Sequence, residues 1–146
     1  MEGFTGSGKS RLSNDLGRDL EATVIQTDEY VAVGDESQPY PDRLAYGLLA
    51  IAIASARSTD SLIVVEGICL RYVLQRLSLS ADIFVYIKRV ARNGLWHDGF
   101  HLDDFESGDS IEENSNEPHR SDFAYHVAAR PHEHADILFE RIEADN

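Results

Sequence analysis

The chain has 146 residues, a length that suits one domain of the usual roughly 100–200 residues, and 42% of them are hydrophobic, which excludes a disordered polar chain. Thirteen Lys and Arg against 26 Asp and Glu give a formal net charge of −13, which argues against non-specific binding to nucleic acid or to an anionic membrane. The single cysteine, Cys69, excludes an internal disulfide framework and a Cys-rich zinc site.

The chain opens on a Gly-rich stretch, Gly3-Phe4-Thr5-Gly6-Ser7-Gly8-Lys9-Ser10, and Leu12, Leu16 and Leu20 behind it recur at helical spacing. Val24–Thr27 reads as a short strand ending at Asp28-Glu29, and residues 31–41 as a loop. Pro41 suits the first turn of a helix over Asp42–Arg57, and the apolar run within it predicts a largely buried helix. Leu62–Val65 and Ile83–Ile87 are unbroken apolar strands, and Leu70–Leu77 between them reads as a short helix. Continuous apolar strands imply burial on both faces, hence a parallel sheet covered by helices. Residues 98–118 hold eight Asp and Glu with no Lys or Arg, which reads as a mobile solvated insertion or an ordered acidic lid. Ser121–Arg130 reads as a helix stopped by Pro131, and Ile137–Phe139 opens a last strand.

The opening stretch satisfies the phosphate-loop pattern G-x-x-x-x-G-K-[ST]. Its glycines let the backbone curl with N–H groups pointing inward, and the following helix adds its positive dipole end. Gly3, Phe4, Thr5, Gly6, Ser7, Gly8, Lys9 and Ser10 are therefore the expected ATP-binding residues, with Lys9 at the β/γ-phosphates and Ser10 on Mg²⁺. Asp28 follows the Val24–Thr27 strand and Glu66 the Leu62–Val65 strand, at the strand end where an open parallel sheet binds its ligands. Asp28 suits a base for an acceptor hydroxyl and Glu66 a metal ligand; turn formation or helix capping is the bland alternative for both.

With these residues the chain resembles the uridine kinase-like branch of the phosphate-loop kinases. Besides Gly3–Ser10, Thr27-Asp28-Glu29-Tyr30 resembles that family's Asp-x-[Phe/Tyr] element, and Val64-Val65-Glu66-Gly67 its second nucleotide-binding motif. Pro131–Ile137 resembles the segment before its last strand, and Tyr40-Pro41-Asp42 the Pro-Asp that lies near the nucleoside. The resemblance implies a three-layer α/β fold with a mostly parallel sheet of four to five strands and flanking helices. It implies phosphoryl-clamping roles for Arg89 and Arg92, which follow the third apolar strand, and a contact of Asp28 with the acceptor hydroxyl. The family places a central strand before the loop, where this chain has only Met1 and Glu2, so a chain truncated there or with a late-assigned start is expected. The family's lid is basic, whereas residues 98–118 are acidic.

Tyr30 and Tyr40 either line an acceptor pocket or are ordinary part-buried tyrosines, and Trp96 either stacks on a substrate or packs on the sheet. The six histidines supply no firm zinc set; His126 reads as a packed or substrate-side residue, and Cys69 as an inert buried one. No signal peptide is evident and the longest apolar run, 45–56, is short of the about 18 residues that span a bilayer, so a cytoplasmic protein is expected. The expected function is ATP- and Mg²⁺-dependent transfer of the γ-phosphate to a hydroxyl of a small molecule, with a nucleoside first. The alternatives are a degenerate or truncated nucleotide-binding module, and a kinase for a sugar acid, coenzyme precursor or antibiotic. Residues 1–146 form one domain in either case, with no nucleic-acid or membrane partner.

Overall fold

A computed structural model of the chain describes residues 1–34, 36–60, 62–109 and 116–143. The element order is α1 (Lys9–Asp19), β1 (Thr23–Gln26), α2 (Tyr46–Thr59), β2 (Ile63–Glu66), α3 (Leu70–Arg76), β3 (Val85–Val90), α4 (Gly99–Ser107), α5 (His119–Ala129) and β4 (Ile137–Ile142), with 3₁₀ turns at Thr27–Tyr30 and Tyr40–Asp42. This is an α/β arrangement, and every strand pairing is parallel.

β1 pairs with β2, with Thr23 opposite Ile63 and Gln26 opposite Glu66, while β3 pairs with β4 from Val85–Ile137 to Val90–Ile142. The strands thus form two two-stranded ladders, and Met1 and Glu2 lie between them. The Met1 nitrogen donates to Val65 O (2.7 Å) and Gly67 N to Met1 O (3.3 Å). On the other side Glu2 N donates to Val85 O (2.9 Å) and Ile87 N to Glu2 O (2.8 Å). Two residues before the loop therefore join the ladders. The wholly buried Glu2 carboxylate accepts from Arg71 Nε (2.8 Å) and from the Tyr125 hydroxyl.

The buried stripe of α1 is Lys9, Ser13 and Gly17, not the leucines, and Leu20 is exposed. The small Ser13 and Gly17 let α1 approach β1 closely, and a Cβ at Gly17 would collide with Val24 Cγ2. The helix expected from Asp42 starts at Tyr46. Residues 43–45 are engaged elsewhere: Ala32 N donates to Arg43 O and Ala45 N to Tyr30 O, both at 2.8 Å, so their backbone is committed to a cross-bridge. α2 is not largely buried. Leu49, Ile53 and Ala56 enter the main core with Ile25, Ile68, Cys69, Val73 and Tyr125, while Leu48 and Ile51 face outward, about two-thirds exposed. β4 is exposed along its whole length, pairing with β3 on one side only among the described residues.

Part of the acidic segment is ordered rather than solvated. α4 covers residues 99–107 and packs on α5, and its Leu102 joins Phe4 and Phe123 in a second apolar cluster. Residues 110–115 of that segment lie outside the described residues. Trp96 packs rather than projecting, with its ring 4.8 Å from His132 and 5.9 Å from Phe4. His126 is buried and stacked on Phe4 at 3.6 Å. No described helix is long and apolar enough to cross a membrane.

Candidate functional site

The loop Gly3–Ser10 folds as a curl whose last glycine, Gly8, caps α1 with φ +102, the left-handed region that glycine enters freely. Ser7 N donates to Phe4 O (3.0 Å), closing the turn. Phe4 turns its ring into the second cluster and offers only backbone to the loop; its carbonyl accepts from Lys9 Nζ at 2.9 Å. Lys9 is buried, so the ammonium is held under the loop rather than free in solvent.

Glu66, at the end of β2, is 2% exposed, and no described group hydrogen-bonds its Oε1. Burial pushes its carboxyl above the usual range, while the nearby Ser10 hydroxyl and the Lys9 charge pull it down. Glu66 and Ser10 therefore meet at the start of α1, as the strand-end rule requires. An oxygen-only set suits Mg²⁺, and the unpartnered Glu66 Oε1 is the observation in its favour.

Asp28 sits on the 3₁₀ turn after β1 and accepts from the Tyr40 hydroxyl at 2.6 Å. Thr27 Oγ1 lies 2.9 Å from the same hydroxyl. Burial, then the Asp28 charge, drive the Tyr40 phenol far above its ordinary value, so it stays protonated and serves as a donor. Tyr40 is pinned in turn: its N–H is shared by Glu117 Oε2 and Ser121 Oγ, each at 3.0 Å. One residue further along α5, the buried Asp122 accepts from Thr5 N (2.8 Å) and Thr5 Oγ1 (3.1 Å). The start of α5 thus grips the loop and the Asp28 side together. Between them lies a cavity of about 420 Å³, with Thr5, Gly6, Gly8, Lys9 and Ser10 on one wall and Asp28, Val31, Tyr40 and Arg43 on the other.

Neither a protein-family model nor a curated protein matches the sequence. Among solved structures the chain is similar to a possible uridine kinase from Bacillus stearothermophilus, with a TM-score of 0.58 and 16% identity over 94% of this chain and 85% of that one. The fold is phosphate-loop kinase-like. At that identity the likeness speaks for the fold alone.

Within this kinase-like fold the expected site residues divide. Lys9, Ser10, Asp28 and Tyr40 meet at one cavity, with Glu66 beside Ser10. Arg89 approaches the loop near Gly6 but is also paired with Glu143 (3.3 Å). Arg92 lies exposed in the turn after β3 and does not line the cavity. Tyr30 packs against the main core, and Asp42 is held by Arg76 at 2.5 Å; neither lines the cavity. Four residues were not anticipated. Arg141, opposite Arg89 in the β3–β4 register, donates to Ser7 O (3.0 Å) and presses against Gly8. Asp122 anchors Thr5, and Arg11 and Arg43 line the cavity. Arg11 directly follows the loop motif and Arg43 follows Pro41-Asp42, so adjacency offered a signal for those two; nothing local marks Asp122 or Arg141.

Proposed function

We propose that the protein is an ATP- and Mg²⁺-dependent phosphotransferase that moves the γ-phosphate of ATP to a hydroxyl of a small molecule, within a single domain whose two ladders act as one sheet. The resemblance to uridine kinases makes a nucleoside the reference acceptor. One observation carries the reading: the phosphate loop and the Asp28 carboxylate, from separate elements, face each other across one cavity.

In this reading the loop N–H groups and Lys9 hold the β/γ-phosphates, a preorganised set of donors for charge that spreads over the transferring group. Mg²⁺, held by Ser10 and Glu66, would neutralise the phosphate oxygens. Asp28 takes the proton of the acceptor hydroxyl as its oxygen bonds to the γ-phosphorus, and the bond to the β–γ bridging oxygen breaks to leave ADP. Tyr40 keeps Asp28 aimed by donating to Oδ1. Arg89, near Gly6, is the cation available to the transferring group.

Thermal unfolding with and without MgATP tests the reading. A ligand at about 100 times its Kd stabilises by about 2.7 kcal/mol. At about 2–4 °C per kcal/mol for this size, Tm rises by roughly 5–10 °C, and the rise vanishes in Lys9→Ala. Asp28→Asn keeps the rise and loses ADP release with an acceptor. A cooperatively folded chain with no rise refutes nucleotide use; a rise without ADP release from any acceptor identifies a binding module instead.

A further inference from the structure

Six of the eleven arginines in this acidic chain stand beside an acid. Arg18, Arg71, Arg76, Arg89, Arg120 and Arg130 all stand within 3.4 Å of a carboxylate oxygen. Arg11, Arg43, Arg57 and Arg141 have no such pair among the described residues, and of these Arg11 and Arg43 line the cavity that holds Lys9 and Asp28. With 26 acids for 13 Lys and Arg in the sequence, two unpaired guanidinium groups in one cavity are not explained by a shortage of carboxylates.

The two differ in place and in surroundings. Arg11 stands on α1 directly after the loop, on the side that receives the donor phosphates, and it is exposed. Arg43 stands on the opposite wall with Tyr40 and Asp28, and its Nε–H is buried with no acceptor. Its backbone is fixed: Arg43 N donates to Tyr40 O (3.1 Å), and Arg43 O accepts from Ala32 N (2.8 Å). A guanidinium cannot shed its charge, and a buried N–H without an acceptor is costly, so the wall is built for a partner that brings anionic oxygens. The donor phosphates already have the loop, Lys9 and Arg11. A neutral acceptor would leave Arg43 unmatched and meet the Asp28 charge alone; an acceptor bearing an oxyanion would satisfy the planar donor fork while its hydroxyl faces Asp28.

We propose that the phosphate acceptor carries an anionic group, a carboxylate or a phosphate, which pairs with Arg43. The site then acts on a hydroxy acid or a hydroxyl-bearing monophosphate rather than on a neutral nucleoside. This rests on the phosphotransferase reading for the transfer itself, but the anion subsite can be tested apart from it.

The full chain, with the loop filled by MgADP, is titrated with sodium sulfate at constant ionic strength, balanced with sodium chloride. The Arg43 Nε–H is followed by ¹H–¹⁵N NMR and assigned by its loss in Arg43→Lys. A saturable shift of that signal is expected; a response no larger than that to chloride alone overturns the proposal whatever the turnover results. ADP release is then compared for matched pairs: glycerate with glycerol, gluconate with glucose, uridine monophosphate with uridine. The anionic member of a pair should exceed the neutral one at least tenfold in kcat/KM, and the pair that responds tells carboxylate from phosphate. Arg43→Ala should raise the KM of that acceptor at least tenfold with the KM of MgATP within twofold. A neutral member used as well as its anionic partner overturns the proposal. If MgADP does not bind, the kinase reading falls, while the sulfate titration still decides the Arg43 subsite.

Discussion

Gly67 follows the Glu66 of β2, and the space where its Cβ would sit is taken by the side chain of Thr27. In Gly67→Ala the new methyl would overlap Thr27 Oγ1 and lie 3.0 Å from Thr27 Cβ and 3.2 Å from Cγ2. Thr27 is wholly buried and cannot swing into solvent. Forcing an extra methyl into a packed site costs about 1–3 kcal/mol. Displacing Thr27 also breaks its 2.9 Å contact with the Tyr40 hydroxyl, and a buried hydroxyl left without that partner costs about 1–3 kcal/mol. Because Tyr40 keeps its bond to Asp28, the lower part of that second range applies, and the total is about 3 kcal/mol. Tm should fall by roughly 6–12 °C. Thr27→Ala removes Oγ1 and Cγ2 and opens the space, so the double variant should be more stable than the sum of the singles implies, by about 1–3 kcal/mol. Urea unfolding followed by Trp96 fluorescence and circular dichroism measures all four corners of the cycle. A Gly67→Ala chain as stable as the wild type, or additivity within about 0.5 kcal/mol, would show that the Glu66-Gly67 turn is not built against Thr27.

Glu66→Gln should stabilise the unliganded chain and abolish the Mg²⁺-dependent part of nucleotide stabilisation. Burial holds the Glu66 carboxyl above its ordinary value, so the folded state binds a proton more tightly and stability is lost as pH rises through the raised pKa; Tm against pH for both chains shows whether that loss disappears. His132 has the opposite sign: burial, then the His126 charge, lower it from 6.5 to about 4, so its contribution is present above pH 6.5 and lost as pH falls toward 4. Replacing it by Phe should flatten that part of the Tm–pH curve. Asp122→Ala frees the Thr5 amide, which should exchange with solvent at least tenfold faster by NMR and weaken MgATP binding, whereas Asp122→Asn keeps an acceptor oxygen and should recover most of both.

What the sequence revealed was local. The phosphate loop is contiguous, and Asp28 and Glu66 stand directly after short strand patterns, so their places at strand ends could be read from the local sequence. The errors arise where a distant partner decides. Leu12, Leu16 and Leu20 marked the helix that α1 forms but not its buried face, which carries Ser13 and Gly17 against Val24. Pro41 suggested a helix start, but Leu44 bridges Val31 and delays α2 to Tyr46. The acidic run 98–118 left a mobile insertion and an ordered lid both open, and Leu102 seats its Gly99–Ser107 part on Phe4 and Phe123. Arg141 reaches Ser7 across 134 positions and Asp122 reaches Thr5 across 117, separations at which no periodicity or motif can register.

Ser121 and Asp122 are neighbours in one helical turn, and successive residues on an α-helix point about 100° apart. That angle lets one backbone hold two walls: Ser121 reaches the Tyr40 amide and Asp122 reaches Thr5. The span between the loop and the Asp28 carboxylate is therefore set like the throw of a crank, by angular phase rather than by length of chain. A single residue inserted ahead of Ser121 would turn both side chains off their targets at once, although the helix and its apolar face could persist. A rigid rotation of α5 about its own axis would move the two walls together, so any opening of the cavity must hinge outside that turn.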